Sequence, residues 1–120
     1  MKFVIQRTSQ ASVLIDKKFY SSIGKGIVVL IGIEIGDTED VLDYYVNKII
    51  HMRIFNDYNQ KMNYSLLDIK GEILIVSQFT LLANTQKGNR PSYISAAKPD
   101  IAKHLYRLFC EKNFIYFFMA

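Results

Sequence analysis

The chain has 120 residues, which fits one domain and is too short for two. Half of it is apolar, with eight Phe and eight Tyr against two Pro and six Gly, so it can bury a core and its composition argues against disorder. Fifteen Lys and Arg against eleven Asp and Glu leave a net charge of +4, an excess that permits binding to a polyanion such as RNA without demanding it.

A single cysteine, Cys110, leaves no internal disulfide to form and is compatible with a reducing cytoplasm. The start, Met1 to Arg7, meets a charge after three apolar residues and has no signal-peptide core. The longest apolar run, Gly26 to Ile33, is strand-sized and far below the roughly 18 residues a membrane span needs.

In chain order, Phe3 to Thr8 and Ala11 to Asp16 read as strands broken at Ser9-Gln10. Asp16-Lys17-Lys18 is a polar turn, Phe19 to Ile23 a short strand, and Gly24-Lys25-Gly26 a turn whose glycines are free to take positive φ. Ile27 to Ile35 is β-branched and nearly all apolar, so it is expected as a strand buried on both faces. A helix is expected from about Thr38 to His51, capped by Asp37, with Val41, Leu42, Tyr45, Ile49 and Met52 on its apolar face. Ile54-Phe55 begins a short strand, Asn56 to Lys61 is a polar turn, and Ser65 to Asp68 reads as another short edge. Glu72 to Leu82 is the second strong strand, followed by a long loop from Asn84 to Lys98. Pro99 and Asp100 suit the first turn of a second helix with Ile101, Leu105, Leu108 and Phe109 as its stripe. Strands dominate without a regular βαβ rhythm. The expected fold is therefore α/β of the α+β type: a curled, mostly antiparallel, barrel-like sheet with two helices packed outside.

The unusual local feature is Ser77-Gln78-Phe79-Thr80, where a buried strand runs into polar residues. In an extended chain, Ser77 and Phe79 share one face and Gln78 and Thr80 the other. Hydroxyls, an amide and successive backbone N–H groups at the edge of an apolar pocket suit recognition of a carbonyl or an ester. The same residues also fit ordinary polar positions on a sheet surface, and on the pattern alone this plainer reading is favoured. Lys87, Arg90 and Lys98 on the following loop fit either phosphate contacts or a solvated loop. His51 and His104 read as helix-surface residues and Cys110 as a core or boundary thiol. No metal-ligand spacing is present, so neither a metal nor a cofactor is expected.

Several separated segments resemble the D-aminoacyl-tRNA deacylases of the D-tyrosyl-tRNA deacylase type. They are Val4-Ile5-Gln6-Arg7 with Ala11-Ser12-Val13, Gly24-Lys25-Gly26, Arg53-Ile54-Phe55, and Lys61-Met62-Asn63 with Ser65-Leu66-Leu67-Asp68. Val76-Ser77-Gln78-Phe79-Thr80-Leu81 and Lys87-Gly88-Asn89-Arg90-Pro91-Ser92-Tyr93 follow in the family's order, which holds from Met1 to about Lys112. The resemblance implies a cytoplasmic, metal-free homodimer with a β-barrel-like fold. Its members hydrolyse the ester joining a D-amino acid to its tRNA, and remove glycine from mischarged tRNA. By the same resemblance Ser77, Gln78, Phe79 and Thr80 line the pocket for the terminal adenosine and the ester, and Lys87, Arg90 and Lys98 are candidate tRNA contacts. Thr80 acts either as nucleophile or, in the preferred version, only in positioning, with backbone N–H groups polarising the carbonyl and water attacking with help from the ribose hydroxyl.

One family signature is missing. The resemblance implies a Gly-Pro dipeptide near the C-terminus that reaches into the other subunit's pocket and rejects L-amino acids, and this chain has no Gly-Pro. The stretch Asn113 to Ala120 is almost wholly apolar and aromatic, as a core strand or as the remainder of a frameshifted or shortened gene would be. The expectation is a single deacylase domain over residues 1–120, incomplete at its C-terminus, with weak activity or poor discrimination between D and L. The alternatives are an inactive tRNA-binding or dimerising remnant, and an editing module of the kind fused to some threonyl-tRNA synthetases. The Ser-Gln-Phe-Thr segment argues against the latter.

Overall fold

A computed structural model describes residues 1–114, apart from the side chains of Phe19, Tyr20 and Phe114. The fold is built on the apolar strand β4 (Gly26–Gly32). It pairs antiparallel with β1 (Lys2–Thr8) and parallel with β7 (Glu72–Ser77), giving a three-stranded mixed sheet in the order β1-β4-β7. The parallel pair needs a crossover, and the chain between β4 and β7 supplies it through α1 (Leu42–His51), which follows a 3-10 turn at Glu39–Val41. The hairpin of β2 (Ala11–Ile15) and β3 (Lys18–Ile23) turns through Asp16 and Lys17, both at positive φ. Such a pair matches the twist of the flanking strands. Two short strands, β5 (Phe55–Asn56) and β6 (Met62–Tyr64), form a third sheet. The second helix, α2, spans Pro99–Phe114.

Ile27, Val29 and Ile31 alternate along β4 and are fully buried under the helices. They pack with Ile73 and Ile75 of β7, with Leu42, Val46, Ile49 and Ile50 of α1, and with Leu105 and Phe109 of α2. The other face, carrying Val28 and Leu30, is only half covered. Burial on both faces was expected and is complete on one.

The mixed α/β class with two helices is as the residues indicate, and the strand pairings are mostly antiparallel, but they do not make one curled sheet. Three separate sheets are present among the described residues, one with a parallel pair, and no closed barrel forms among them. Several local expectations also change. Asp37 does not cap the helix: its carboxylate accepts from the Met1 ammonium group and the Glu34 N–H instead. Val41 and Ile101 stand exposed, because helix entry leaves the first turn outside the core. Ser65 to Asp68 is no strand edge. Ser65 N–H donates to the Asp68 carboxylate and Asp68 N–H to the Ser65 hydroxyl, a reciprocal pairing that closes a turn. Gly24 and Gly26 do not use positive φ. Gly26 is needed because a Cβ there would lie 1.8 Å from the Glu72 carbonyl oxygen. The apolar tail falls outside the described residues beyond Phe114, and Asn113 and Phe114 continue α2.

Candidate active site

The strand β7 stops at Ser77, five residues before the expected end. Gln78 N–H donates to Ile31 O at 2.8 Å, and the chain then leaves the sheet in a 3-10 turn, Phe79–Leu82. The alternation of faces expected through Thr80 therefore ends at Ser77. The turn fits because it lands on Gly32. A Cβ on Gly32 would sit 3.2 Å from Leu81 Cβ and 3.3 Å from Gln78 O, so a larger residue would push the turn outward.

Within the turn, Leu81 N–H bonds Gln78 O and Ala83 N–H bonds Thr80 O. The first N–H groups of a helical turn have no acceptor inside it, and here these belong to Phe79 and Thr80. The Gln78 side-chain amide donates to the Thr80 hydroxyl. Ser77, Phe79 and Thr80 are exposed and Gln78 is half-buried. The cluster thus brings together two backbone donors, one amide and one hydroxyl at the end of a buried strand. Such a set can hold a carbonyl oxygen as charge develops on it. No carboxylate or imidazole touches Thr80 among the described residues, so nothing there can take a proton from its hydroxyl.

The loop after the turn is more ordered than its length suggests. Asn84 and Ser92 exchange backbone hydrogen bonds at 2.8 Å, closing a small hairpin with Lys87 and Arg90 at its tip. Beyond it, Ile35 N–H bonds Ser95 O and Ala97 N–H bonds Ile33 O, stitching the loop to the end of β4. This places Tyr93 against Phe79, ring centroids 5.1 Å apart and nearly edge-to-face. Lys87, Arg90 and Lys98 are exposed and form no ion pair among the described residues. The turn and the loop are brought together, whereas the three cations do not touch the Thr80 cluster. Tyr93 and Gly32 are the members that sequence reasoning missed. Their role depends on contacts across the fold, and no local period carries that signal.

The concavities reach this cluster only at Ser77. One of 510 Å³ is lined by Tyr44, Asn47, Lys48, His51, Met52 and Arg53. It sits at the C-terminal end of α1, near Ile54, whose carbonyl accepts from Arg7 beside the start of β4. That is the end of the sheet opposite Thr80. A smaller one of 180 Å³ runs beside β7 and includes Ser77 and Tyr106. Neither is lined by Gln78, Phe79 or Thr80.

His51 and His104 are exposed helix residues. His51 Nδ1 bonds Asn47 O and His104 pairs with Glu39 at 2.8 Å. Cys110 is a boundary thiol whose burial pushes its pKa up, which makes it a poor nucleophile. Among the described residues no three His, Cys, Asp or Glu side chains group as metal ligands, and no helix is long and apolar enough to cross a membrane.

Comparison with known proteins shows the family. The family described as D-Tyr-tRNA(Tyr) deacylase matches residues 4–114. The D-aminoacyl-tRNA deacylase of Flavobacterium psychrophilum is 57% identical over 112 residues, covering 93% of this chain and 75% of the relative. That of Flavobacterium johnsoniae is 53% identical over 117 residues, covering 95% and 78%. Among solved structures, a protein described as c-Myc DNA Unwinding Element Binding Protein superposes with a TM-score of 0.90 at 40% identity, covering 98% of this chain and 78% of its own. A probable eukaryotic D-amino acid tRNA deacylase, at 23% identity, shares the fold with a TM-score of 0.79, covering 95% and 67%. The matched residues run from β1 to the last turn of α2 and take in the whole Gln78–Thr80 cluster, so the chain belongs to the D-Tyr-tRNA(Tyr) deacylase family, hydrolases that act on D-aminoacyl-tRNA.

Proposed function

We propose that the 3-10 turn after β7 is the reaction centre for this hydrolysis. The Phe79 and Thr80 N–H groups polarise the ester carbonyl, Ser77, Gln78 and the Phe79 ring position the terminal adenosine and amino acid, and water attacks with help from the ribose hydroxyl. The observation that carries this reading is the pairing of Gln78 with the Thr80 hydroxyl beside those two N–H groups. A hydroxyl with only an amide partner is not activated in either amide orientation, since an amide oxygen is no base at neutral pH. Preorganised donors, in contrast, need no proton transfer to stabilise the oxyanion, and one such donor is worth roughly 10²–10³ in kcat.

The same centre has no feature that demands a side chain on the amino acid, so glycyl-tRNA is a second substrate in this proposal. Residues 1–120 form one deacylase domain that works as a cytoplasmic homodimer without metal or cofactor. Lys87, Arg90 and Lys98 contact tRNA phosphates. Dimerisation covers the half-open sheet face, where Val4 stands 48% exposed, and closes the sheet towards a barrel.

Thr80→Ala and Thr80→Val, assayed on D-Tyr-tRNA, test the centre. We expect turnover to fall by about tenfold or less, since the hydroxyl positions and does not attack. Complete loss of turnover with tRNA binding intact would make Thr80 the nucleophile and overturn the mechanism. A second reading, a tRNA-binding remnant without turnover, draws on the absence of Gln78, Phe79 and Thr80 from both of the concavities described above. It would be supported by tRNA binding with no hydrolysis of the ester.

A further inference from the structure

The net charge of this protein is concentrated in one stretch. Between residues 84 and 107 lie five Lys or Arg (Lys87, Arg90, Lys98, Lys103, Arg107) and one acid, Asp100. The rest of the chain holds ten of each sign and is neutral. The stretch is contiguous in space with the Thr80 turn, since Tyr93 packs on Phe79 and Ala97 N–H is fixed to Ile33 O at the end of β4.

Along α2 the cations divide by face. Lys112 faces α1 and is taken up by Asp43 at 2.8 Å, and on the same helix the His104 ring bonds Glu39 at 2.8 Å. Lys103 and Arg107, four residues apart and so on one side of the helix, are exposed and form no ion pair among the described residues. Asp100 and Glu111 stand near them in sequence and pair with neither. Tyr106, between them, donates its hydroxyl to Ile75 O, so this side of α2 adjoins the strand that delivers Ser77. The α1 concavity also carries cations, but Lys48 lies in the last turn of a helix, where it offsets the helix's own negative end, and Arg53 donates to Asn63 O.

We propose that Lys103 and Arg107 continue the basic tip and Lys98 into a phosphate-binding ridge that holds the acceptor stem of the tRNA, away from the ester. This rests on the reading of the Thr80 turn as the reaction centre. The helix rise puts Lys103 and Arg107 about 6 Å apart along α2, so they reach neighbouring phosphates of one strand. A ridge of this kind reads backbone charge and duplex shape and no base sequence. That suits an enzyme whose substrate is defined by its ester.

The test is binding of uncharged tRNA by fluorescence anisotropy across a salt series, for the native chain, Lys103→Ala/Arg107→Ala, and the charge-preserving Lys103→Arg/Arg107→Lys. Each lost phosphate contact lowers the salt slope of log affinity by about 1, so the alanine pair lowers it by about 2 and the exchanged pair leaves it unchanged. Hydrolysis of D-Tyr-tRNA and of a short D-tyrosylated 3′-terminal oligonucleotide is measured beside it. KM for the full tRNA rises in the alanine pair with kcat held, while the fragment, too short to reach α2, is hydrolysed as by the native chain. An unchanged salt slope, or an equal loss on tRNA and fragment, overturns the ridge. Failure of the reaction centre shows separately, as absent hydrolysis of the fragment by the native chain with the salt slope still altered by the alanine pair.

Discussion

Gly32 shows how much one hydrogen atom in place of a side chain can matter. The turn carrying Phe79 and Thr80 rests directly on it, with Leu81 Cβ, Gln78 O and Leu82 Cγ all within 3.3 Å of where a Cβ would stand. Gly32→Ala therefore moves the turn by a few tenths of an ångström, or forces the end of β4 to yield. Small misplacements of positioned groups are costly, about 10² for 1 Å. We expect kcat on D-Tyr-tRNA to fall by about tenfold while the thermal midpoint drops only a few degrees. Native kcat in the folded variant would show that the turn tolerates the shift. Gly26 presents the opposite case. Its neighbour is backbone, 1.8 Å from the added Cβ, and cannot swing aside. Gly26→Ala must part β4 from β7 where Glu72 N–H bonds Lys25 O at 2.9 Å, so destabilisation by more than about 2 kcal/mol is expected in urea unfolding.

Elements were legible where one physical signal dominated. The apolar run of β4 and the helical spacing of Leu42 and Ile49 mark buried faces that the fold uses. The end of β7 was not legible, because Phe79-Thr80-Leu81-Leu82 has strand propensity and is turned aside by a contact with Gly32 that no local pattern encodes. The turn at Ser65 was legible in principle, since Ser followed three residues later by Asp is a pattern of mutual capping. That turn and its neighbour carry a pH dependence. Asp68 is held below its ordinary value of 3.8 chiefly by the Ser65 N–H, and Asp57 chiefly by the Lys61 N–H. A carboxyl with a lowered folded pKa contributes stability that is present above the unfolded value and lost as pH falls through the folded one. The urea midpoint should be flat from neutral pH to about 5 and decline below about 4. Asp57→Asn and Asp68→Asn should each flatten that acid limb, and an unchanged limb in both would place the acid sensitivity elsewhere.

At the scale of the whole molecule, the amino group of Met1 acts as a tie between distant parts. It is part-buried and lies 3.0 Å from Asp37 and 3.3 Å from Glu34. Asp37 also accepts from Glu34 N–H at 2.7 Å, and the next residue, Ile35, bonds Ser95 of the loop that carries Tyr93. One ammonium group thus braces β1, the turn after β4 and the loop against the Thr80 cluster. Removing one partner of a fully buried pair costs about 3–5 kcal/mol, and this part-buried pair, with solvent near Glu34, costs less. Glu34 remains close enough to replace part of the loss. Asp37→Asn keeps the shape and should cost about 2 kcal/mol in urea unfolding. Adding Glu34→Gln to it should cost more than the two single changes together, because each carboxylate covers the loss of the other. Extending the chain before Met1 converts the ammonium group to an amide, leaves both carboxylates without their cation, and should also destabilise the fold. If the brace also sets the site, all three changes lower deacylation before the protein unfolds. Strict additivity with native kinetics would reduce the ion pair to a local contact.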